Sequence, residues 1–333
     1  MTVRFGILGA AGITPSALIT PAHASPDVQL TAVAARSRAR TEEFAAEHGI
    51  EQVLGSYDEL LASPDVDAVY IPLPNSAHAE WTVRAARAGK HVLVEKPFAS
   101  NADEARRVVD AIAGLPVVVM EAFHYRHHPL IRRAEEVLAS GAIGEVTSAS
   151  AVFDVTLPDR GNIRYDWELA GGSTMDLGCY SIHLLRTLLK AEPTVLSAEA
   201  RRVDGGQIDE ALTARLEFPG RITATASSSL LEDVERQSAV VEGTRGSLAI
   251  EGFVKPHGGN SLTLTVDGVT TTEEVAPQVT SYGEQLAAFV AAVEHGGPVL
   301  VDAADSIATM AVIDACYRAA GLEPRRAVPW STD

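Results

Sequence analysis

Three side chains that can exchange or orient protons follow one another at helical spacing. Asp176, Tyr180 and His183 come after a turn at residues 171–174. Spacings of four and then three residues place them on one face of a single helix, which we predict over Ser173–Leu189. A phenol can take a proton from a hydroxyl group, and a carboxylate can orient the partner. For His183 the simpler interpretation is a buried side chain with one satisfied hydrogen bond.

A lysine occupies a second position suited to chemistry. Glu95, Lys96 and Pro97 directly follow His91–Val94, which the apolar pattern predicts to be a strand. Ligands of open α/β sheets bind at the carboxyl ends of the strands. At that place an ammonium group can favour the ionised form of a neighbouring hydroxyl and hold substrate oxygens. A solvated surface lysine is the alternative.

A turn of small residues lies between the first predicted strand, Val3–Leu8, and a short helix, Pro15–His23. Small residues let backbone amides approach a pyrophosphate, and the start of a helix adds partial positive charge. This turn contains Gly9, Ala10, Ala11, Gly12 and Ile13. Only Gly9 fits the pattern G-x-G-x-x-G, because Ala11 and Thr14 replace the later glycines. The turn opens a series of strands and helices, so it predicts a dinucleotide site; a tight turn without ligand is the alternative.

The end of the second predicted strand, Leu30–Ala35, indicates which dinucleotide is bound. A site for NAD has an acidic residue there for the ribose 2′-hydroxyl. Here Arg36, Ser37 and Arg38 follow the strand, and Asp27 lies at its opposite end. Two guanidinium groups and a hydroxyl suit a 2′-phosphate. We therefore expect NADP, with NAD possible; a solvated basic helix start is the alternative.

The elements that must position these residues differ between the two parts of the chain. Up to about residue 123, short continuous apolar runs alternate with helix-length stretches, as in buried parallel strands with crossover helices. After that, five or six strand-like segments follow one another between Val195 and Val275, and helices near Tyr282–Glu294 and Ala303–Ala320 end the chain. We predict an α/β fold: a doubly wound parallel (Rossmann) sheet over 1–123, and an α+β domain on an open, mainly antiparallel sheet over 124–333.

Composition excludes several classes of partner. The 333 residues carry 27 Lys and Arg against 44 Asp and Glu, a formal charge of −17. Such a charge repels nucleic acid and anionic membranes, so we expect neither as a partner. Two cysteines, Cys179 and Cys316, form no disulfide framework, which favours a cytoplasmic location. No apolar run is long enough to span a bilayer, and Pro15 with nearby glycines argues against a secretory signal in residues 1–25.

A cluster of histidines raises the question of a metal. His124, His127 and His128 lie within five residues. No acidic or thiolate partner has a spacing that fits a zinc site, so we expect no metal.

Five motifs occur in an order typical of one family. They are the turn at Gly9, Pro72-Leu73-Pro74-Asn75-Ser76-x-His78, Glu95-Lys96-Pro97, Met120-Glu121-Ala122-Phe123, and Gly171-Gly172-x-x-x-Asp176-x-Gly178-Cys179-Tyr180. Over nearly its whole length the chain resembles the glucose–fructose oxidoreductase/inositol dehydrogenase/MocA (Gfo/Idh/MocA) family of NAD(P)-dependent oxidoreductases. Tyr180 stands where many members have histidine. In this respect the chain is similar to the branch of dimeric dihydrodiol dehydrogenase and NADP-dependent D-xylose dehydrogenase.

The resemblance implies roles for particular residues. Lys96 and Tyr180 would form the catalytic pair, and Asp176 would assist them. Further cofactor contacts are implied at Leu73, Pro74, Asn75, His78 and Glu95. Residues 1–123 would bind the dinucleotide, and residues 124–333 would bind substrate and form a homodimer or homotetramer through the C-terminal sheet.

The implied reaction is hydride transfer between NADP and a carbinol carbon of a sugar or cyclic diol. Sugars favour sites with an aromatic face and several hydrogen-bonding groups, which makes Arg164, Trp167, Tyr125 and His183 candidate substrate contacts. Two alternatives stay open: a glycosidase-type member that uses the cofactor transiently, and a non-catalytic NADP-binding or sensing protein.

Overall fold

The computed structural model describes residues 2–276, 279–327 and 329–330. The chain divides into two units, each described by itself. The first comprises the chain up to His124, Tyr282–Ser306 and the described residues from Ala327 onwards; the second comprises Tyr125–Ser281 and Ile307–Arg326. None of the helices in the described ranges has the length and apolarity that a bilayer crossing requires.

A six-stranded sheet forms the centre of the first unit, with the order β3-β2-β1-β4-β5-β6 and parallel neighbours throughout. Its strands are β1 (Val3–Leu8), β2 (Val28–Ala34), β3 (Gln52–Val53), β4 (Ala68–Ile71), β5 (His91–Val94) and β6 (Val119–Glu121). The apolar side chains of β1, β4 and β5 are almost entirely buried, as expected for strands covered on both faces. The predicted doubly wound sheet is confirmed. Its order reverses between β1 and β4, which is where ligands bind in such sheets.

The crossover helices of this unit are α1 (Thr20–Ala24), α2 (Arg38–His48), α3 (Tyr57–Ala62), α4 (His78–Arg87) and α5 (Ala102–Ile112). Two of them begin with a side-chain cap. Ser56 accepts a hydrogen bond from the amide of Glu59 at 3.0 Å, and Asn101 accepts one from the amide of Glu104 at 2.8 Å. The capped helices fix the loops that follow β3 and β5.

A late helix, α8 (Ser281–His295), also belongs to the first unit from Tyr282 onwards. The Phe289 ring lies 5.6 Å from that of Phe5 on β1, and Leu286 and Val290 join the same buried cluster. The sequence analysis placed this segment within 124–333. The compact units therefore differ from the expected ranges in this segment, because the apolar face of a helix reveals that it is buried but not against which sheet.

The second unit contains an eight-stranded sheet with the order β14-β13-β12-β11-β7-β10-β9-β8. Its strands are β7 (Val146–Thr156), β8 (Thr194–Arg202), β9 (Asp209–Phe218), β10 (Ile222–Ser229), β11 (Leu231–Gly243), β12 (Gly246–Glu251), β13 (Ser261–Val266) and β14 (Val269–Glu273). All neighbours are antiparallel except β7 and β10, which run parallel. The predicted open, mainly antiparallel sheet is confirmed.

Three helices accompany this sheet: α6 (Pro129–Ala139), α7 (Cys179–Leu189) and, from Ile307 onwards, α9 (Ala303–Ala319). The α7 helix is fixed to the sheet by Ser181, whose hydroxyl donates to the carbonyl oxygen of Ser227 on β10 at 3.0 Å. A single helix was expected from residue 173 to 189. Instead, Thr174–Gly178 forms a wide π-helical turn before α7, with the amide of Cys179 donating to the carbonyl oxygen of Thr174.

Candidate active site

The turn after β1 adopts a backbone that requires glycine at its first position. Gly9 has a φ of 110°, and its amide donates to the carbonyl oxygen of Ala34 on β2 at 2.8 Å. A Cβ atom at Gly9 would lie 2.9 Å from Leu73 Cδ2. The turn then becomes more exposed through Ala10, Ala11, Gly12 and Ile13. Gly12 has no heavy atom within 4 Å of the place of a Cβ, so the backbone is open to a ligand there.

The basic residues after β2 are accessible. Arg36, Ser37 and Arg38 are exposed, and Arg38 forms an ion pair with Glu42 within α2 at 2.7 Å. The charge of Arg36 acts on the phenol of Tyr57: burial raises the pKa of Tyr57, and the guanidinium of Arg36 opposes that increase. This part of the structure therefore offers a cation whose charge acts on a hydroxyl group.

Tyr57 is a candidate binding residue that the sequence analysis missed. Its hydroxyl oxygen lies 3.9 Å from the place of a Cβ on Gly9, so it faces the turn after β1. The Trp81 ring packs against it edge-on, with the ring centroids 4.7 Å apart. Tyr57 begins a short helix that follows a two-residue edge strand, and no sequence motif marks this position. Only the fold brings Tyr57 to Gly9.

The segment after β4 is tied to the segment after β5 by a histidine. Nδ1 of His78 lies 2.7 Å from the carbonyl oxygen of Pro97, and Nε2 lies 2.8 Å from that of Leu73. Burial lowers the pKa of His78 to about 4, the two carbonyl groups oppose this, and the charge of Lys96 adds to it. His78 thus links the Leu73-Pro74-Asn75 segment to the segment that carries Lys96.

Glu95, next to Lys96, interacts with two tyrosines of the first unit. The hydroxyl of Tyr70 on β4 donates to Glu95 Oε1 at 2.6 Å. Burial raises the pKa of Tyr282, and the negative charge of Glu95 raises it further. The ring of His124 stacks on Tyr282 with centroids 3.9 Å apart. Tyr70 thus anchors the Glu95 side chain at the end of β5, one residue before Lys96.

In the second unit, Tyr180 is surrounded by aromatic rings and has a charged pair nearby. Only 4% of Tyr180 is exposed, and the rings of Tyr125 and Phe153 lie 5.7 and 5.6 Å from its ring. Arg164 donates from Nε to the carboxylate of Asp176. The charge of Asp176 raises the pKa of Arg164, and the charge of Tyr180 also contributes. The structure thus brings together Arg164, Asp176 and Tyr180.

Two other candidate substrate residues are fully enclosed in this unit. Tyr125 is 0% exposed and His183 is 1% exposed, and the Tyr125 hydroxyl forms a hydrogen bond with His183 Nδ1. This agrees with the simpler interpretation of His183 as a buried side chain with a hydrogen-bond partner. A third candidate, the half-buried Trp167, has the guanidinium of Arg325 4.9 Å from its ring. Substrate contact by these residues stays a prediction.

The histidines near residue 125 lie in different surroundings. His128 accepts a hydrogen bond on Nδ1 from the amide of Leu130 at 3.1 Å and so caps α6. His127 is 4% exposed, and burial lowers its pKa to about 4. In the part of the chain that the structure describes, no three His, Cys, Asp or Glu residues are grouped so as to hold a metal ion.

Two family models match the chain. The model described as "Oxidoreductase family, NAD-binding Rossmann fold" (GFO_IDH_MocA) matches residues 3–123, and the "GFO/IDH/MocA C-terminal domain" matches residues 131–249.

Individual relatives match over most of their length. D-xylose 1-dehydrogenase (NADP(+)) 2 of Haloferax volcanii is 42% identical over 321 residues, which are 96% of this chain and 97% of the relative. Trans-1,2-dihydrobenzene-1,2-diol dehydrogenase of Oryctolagus cuniculus is 35% identical over 71% of this chain and 72% of the relative. A crystal structure of a 3-ketoreductase from Actinomadura kijaniata, in complex with NADP and TDP-benzene, has a TM-score of 0.89 at 30% identity, covering 96% of this chain and 98% of that chain.

Proposed function

Because this chain belongs to the Gfo/Idh/MocA family of oxidoreductases, we propose that it transfers hydride between NADP and a carbinol carbon of a sugar or cyclic diol. The predicted family membership is confirmed. The chain is an NAD(P)-dependent oxidoreductase that acts on CH–OH groups, with NADP as its cofactor and NAD as a possible second one. The names of the xylose and dihydrodiol dehydrogenases support this substrate class.

The observation that carries the proposal is the position of the Tyr180 phenol, buried among rings and within electrostatic reach of the Arg164–Asp176 pair. A free phenol has a pKa of about 10, so a tyrosine that accepts a proton near neutrality needs neighbouring positive charge. Within the second unit, Arg164 neutralises Asp176, whose carboxylate would otherwise disfavour the phenolate. We assign Lys96 as the positive charge that favours the phenolate.

Each group has one role in the proposed reaction. When bound, the oxidised nicotinamide supplies the hydride acceptor. Tyr180, as phenolate, takes the proton from the substrate hydroxyl at its Oη atom, and the carbon–oxygen bond becomes a carbonyl as the carbinol hydrogen leaves as hydride. Lys96 holds the substrate oxygen and favours the phenolate. Asp176, paired with Arg164, orients the substrate.

Cofactor binding is proposed for the first unit. The turn from Gly9 to Ile13, whose backbone is open at Gly12, fits a pyrophosphate, since its amides can approach closely. Arg36, Ser37 and Arg38 would hold a 2′-phosphate, with Tyr57 as an added hydrogen-bonding group beside Arg36. Leu73, Pro74, Asn75, His78 and Glu95 would position the nicotinamide half, His78 through the two carbonyl groups that it contacts.

Assembly and location are proposed on separate grounds. A homodimer or homotetramer through the eight-stranded sheet is supported by Leu196, which is 52% exposed on β8 and lines a hollow on that sheet with Ala149, Thr223 and Ala224. A cytoplasmic location rests on Cys179 and Cys316, the two cysteines of the chain, which are both buried as thiols.

The proposed function is tested by a panel of aldoses, polyols and cyclic diols with NADP and NAD in parallel, following NADPH or NADH absorbance. We expect turnover with a sugar or diol and accumulation of reduced cofactor. Tyr180→Phe should reduce kcat by at least about 100-fold, a typical contribution of general acid–base catalysis, while NADP still binds. NADP binding without turnover of any substrate would contradict the proposal, and so would turnover that releases no reduced cofactor.

A further inference from the structure

Behind the turn at residues 171–174 lies a fully buried ion pair that no motif of the sequence contains. Arg325 and Asp209 are both 0% exposed at their side chains and are joined by a salt bridge. We propose that this pair is a positioning device for the reaction, which sets the geometry of Tyr180, Asp176 and Arg164. The inference rests on the proposed function, since it assigns those three residues to the chemistry.

The carboxylate of Asp209 holds the start of the helical segment that carries Tyr180. Its Oδ2 atom accepts hydrogen bonds from the amide of Thr174 at 2.7 Å and from the Thr174 hydroxyl at 2.6 Å. Thr174 begins the π-helical turn that contains Asp176 and leads into α7. Because a helical segment moves as one body, a shift at Thr174 displaces both Asp176 and Tyr180.

The guanidinium of Arg325 holds the other side of the same turn. It donates from Nε to the carbonyl oxygen of Gly171 at 2.5 Å and from Nη1 to that of Gln207 at 3.1 Å. The group also lies between two rings, 4.9 Å from Trp167 and 4.2 Å from Tyr317. A planar guanidinium with directional bonds and two stacking partners has a single orientation, so Gly171 is fixed relative to Asp209.

The turn at residues 171–174 also fixes the segment that carries Arg164. The amide of Gly172 donates to the carbonyl oxygen of Arg164 at 2.7 Å, and the amide of Gly171 donates to that of Asp166 at 2.9 Å. Both partners of the Arg164–Asp176 pair are therefore positioned by one buried centre.

The glycine at position 172 shows how closely the turn approaches this centre. Gly172 has a φ of 124°, and a Cβ there would clash with Asp209 Oδ1 and Arg325 Nη2. Any other residue would push the turn away from the ion pair.

A role beyond stability follows from the energetics of such pairs. Desolvating two charges offsets much of their attraction, and well-packed apolar residues often stabilise a fold equally well. Charge-assisted hydrogen bonds, in contrast, define directions and distances that apolar contacts do not. Since neither side chain is exposed, Arg325 and Asp209 act through the 171–174 turn and are positioning residues.

The test compares Thr174→Val, which removes the hydroxyl donor to Asp209 and keeps the shape, with Thr174→Ser, which keeps the donor. We expect Thr174→Val to reduce kcat on the order of tenfold, the equivalent of one charge-assisted hydrogen bond, with unchanged KM for NADP. The pH dependence of kcat/KM should also shift, whereas Thr174→Ser stays within about twofold of the wild type. Rates are normalised to folded protein. Arg325→Lys, which keeps the charge but loses the planar contacts, should resemble Thr174→Val if it folds.

A second measurement, the titration of Tyr180, tests the positioning role independently of substrate turnover. The titration of Tyr180 is measured as the phenolate absorbance that Tyr180→Phe lacks, and Thr174→Val should shift it even without substrate. If Thr174→Val only lowers thermal stability and matches Thr174→Ser in kcat, pH profile and titration, the positioning role is wrong. A wild-type protein that turns over no substrate contradicts the proposed function instead, and the titration then decides the inference alone.

Discussion

At the scale of single residues, the choice of cofactor depends on a small group of side chains around Gly9. Arg36, Ser37 and Arg38 could be identified from the sequence because they directly follow a strand in a recognised pattern. Tyr57 could not, since it reaches Gly9 only through the fold of an edge strand and a short helix. The same contrast holds in the second unit: Tyr180 and Asp176 stand in a motif, whereas Asp209 and Arg325 meet across a sequence separation of 116 residues.

Replacing Arg36 by glutamine should selectively weaken NADP. Loss of one charge-assisted contact to the 2′-phosphate should raise the Kd for NADP by about 10- to 100-fold and leave that for NAD nearly unchanged. Tyr57→Phe should have a smaller effect of the same sign. Both constants are measured by quenching of protein fluorescence.

The matched control is Arg40→Gln, which removes an exposed arginine from α2. It should alter neither constant. An equal loss of NADP and NAD affinity in Arg36→Gln would contradict the assignment of this residue to the 2′-phosphate.

At the scale of elements, the strands that lie between two helical layers are the most predictable part of the chain. Val3–Leu8 and His91–Val94 agree with β1 and β5 at both ends, because each is a mostly apolar segment that stops abruptly, at Gly9 and at Glu95. The expected helix from residue 173 to 189 is less accurate. Its first turn is widened where Asp209 binds Thr174, and such a tertiary contact leaves no mark on local periodicity.

The start of α5 provides a prediction at this scale. The Asn101 side chain caps the helix, and Glu104 Oε2 accepts a hydrogen bond from the amide of Ser100 at 2.8 Å. Asn101→Ala should lower the free energy of unfolding by about 1 kcal/mol, because an amide at the helix start loses its acceptor. Urea unfolding monitored by circular dichroism measures this.

Asn101→Asp retains an acceptor and serves as the control. It should be close to the wild type in stability, since aspartate caps helices about as well as asparagine. Equal destabilisation by both substitutions would show that the cap is not what the asparagine contributes.

At the scale of the whole molecule, buried neutral histidines make stability depend on pH. The folded-state pKa of His127 is about 4, below the ordinary value of 6.5. As the pH falls below 6.5, the unfolded chain therefore takes up a proton before the folded chain does. Stability from this residue is fully present above pH 6.5 and decreases by about 1.4 kcal/mol per pH unit towards pH 4.

The variant His127→Gln should remove this part of the acid sensitivity. Between pH 7 and pH 5 its urea midpoint should decrease less than that of the wild type. His295→Gln is the matched control, because it also removes one histidine but at a side chain that is 75% exposed. Identical pH dependence in His127→Gln and the wild type would contradict the buried neutral state of His127.

The packing of α8 on the first sheet has a consequence for folding during translation. The strands of that sheet leave the ribosome early, but Phe289, which packs on Phe5, is synthesised only after the whole eight-stranded sheet. Domains usually fold in the order of their synthesis. We therefore expect the first unit to expose an apolar face while the second unit is translated. The nascent chain is then a candidate client for chaperones that bind exposed apolar segments.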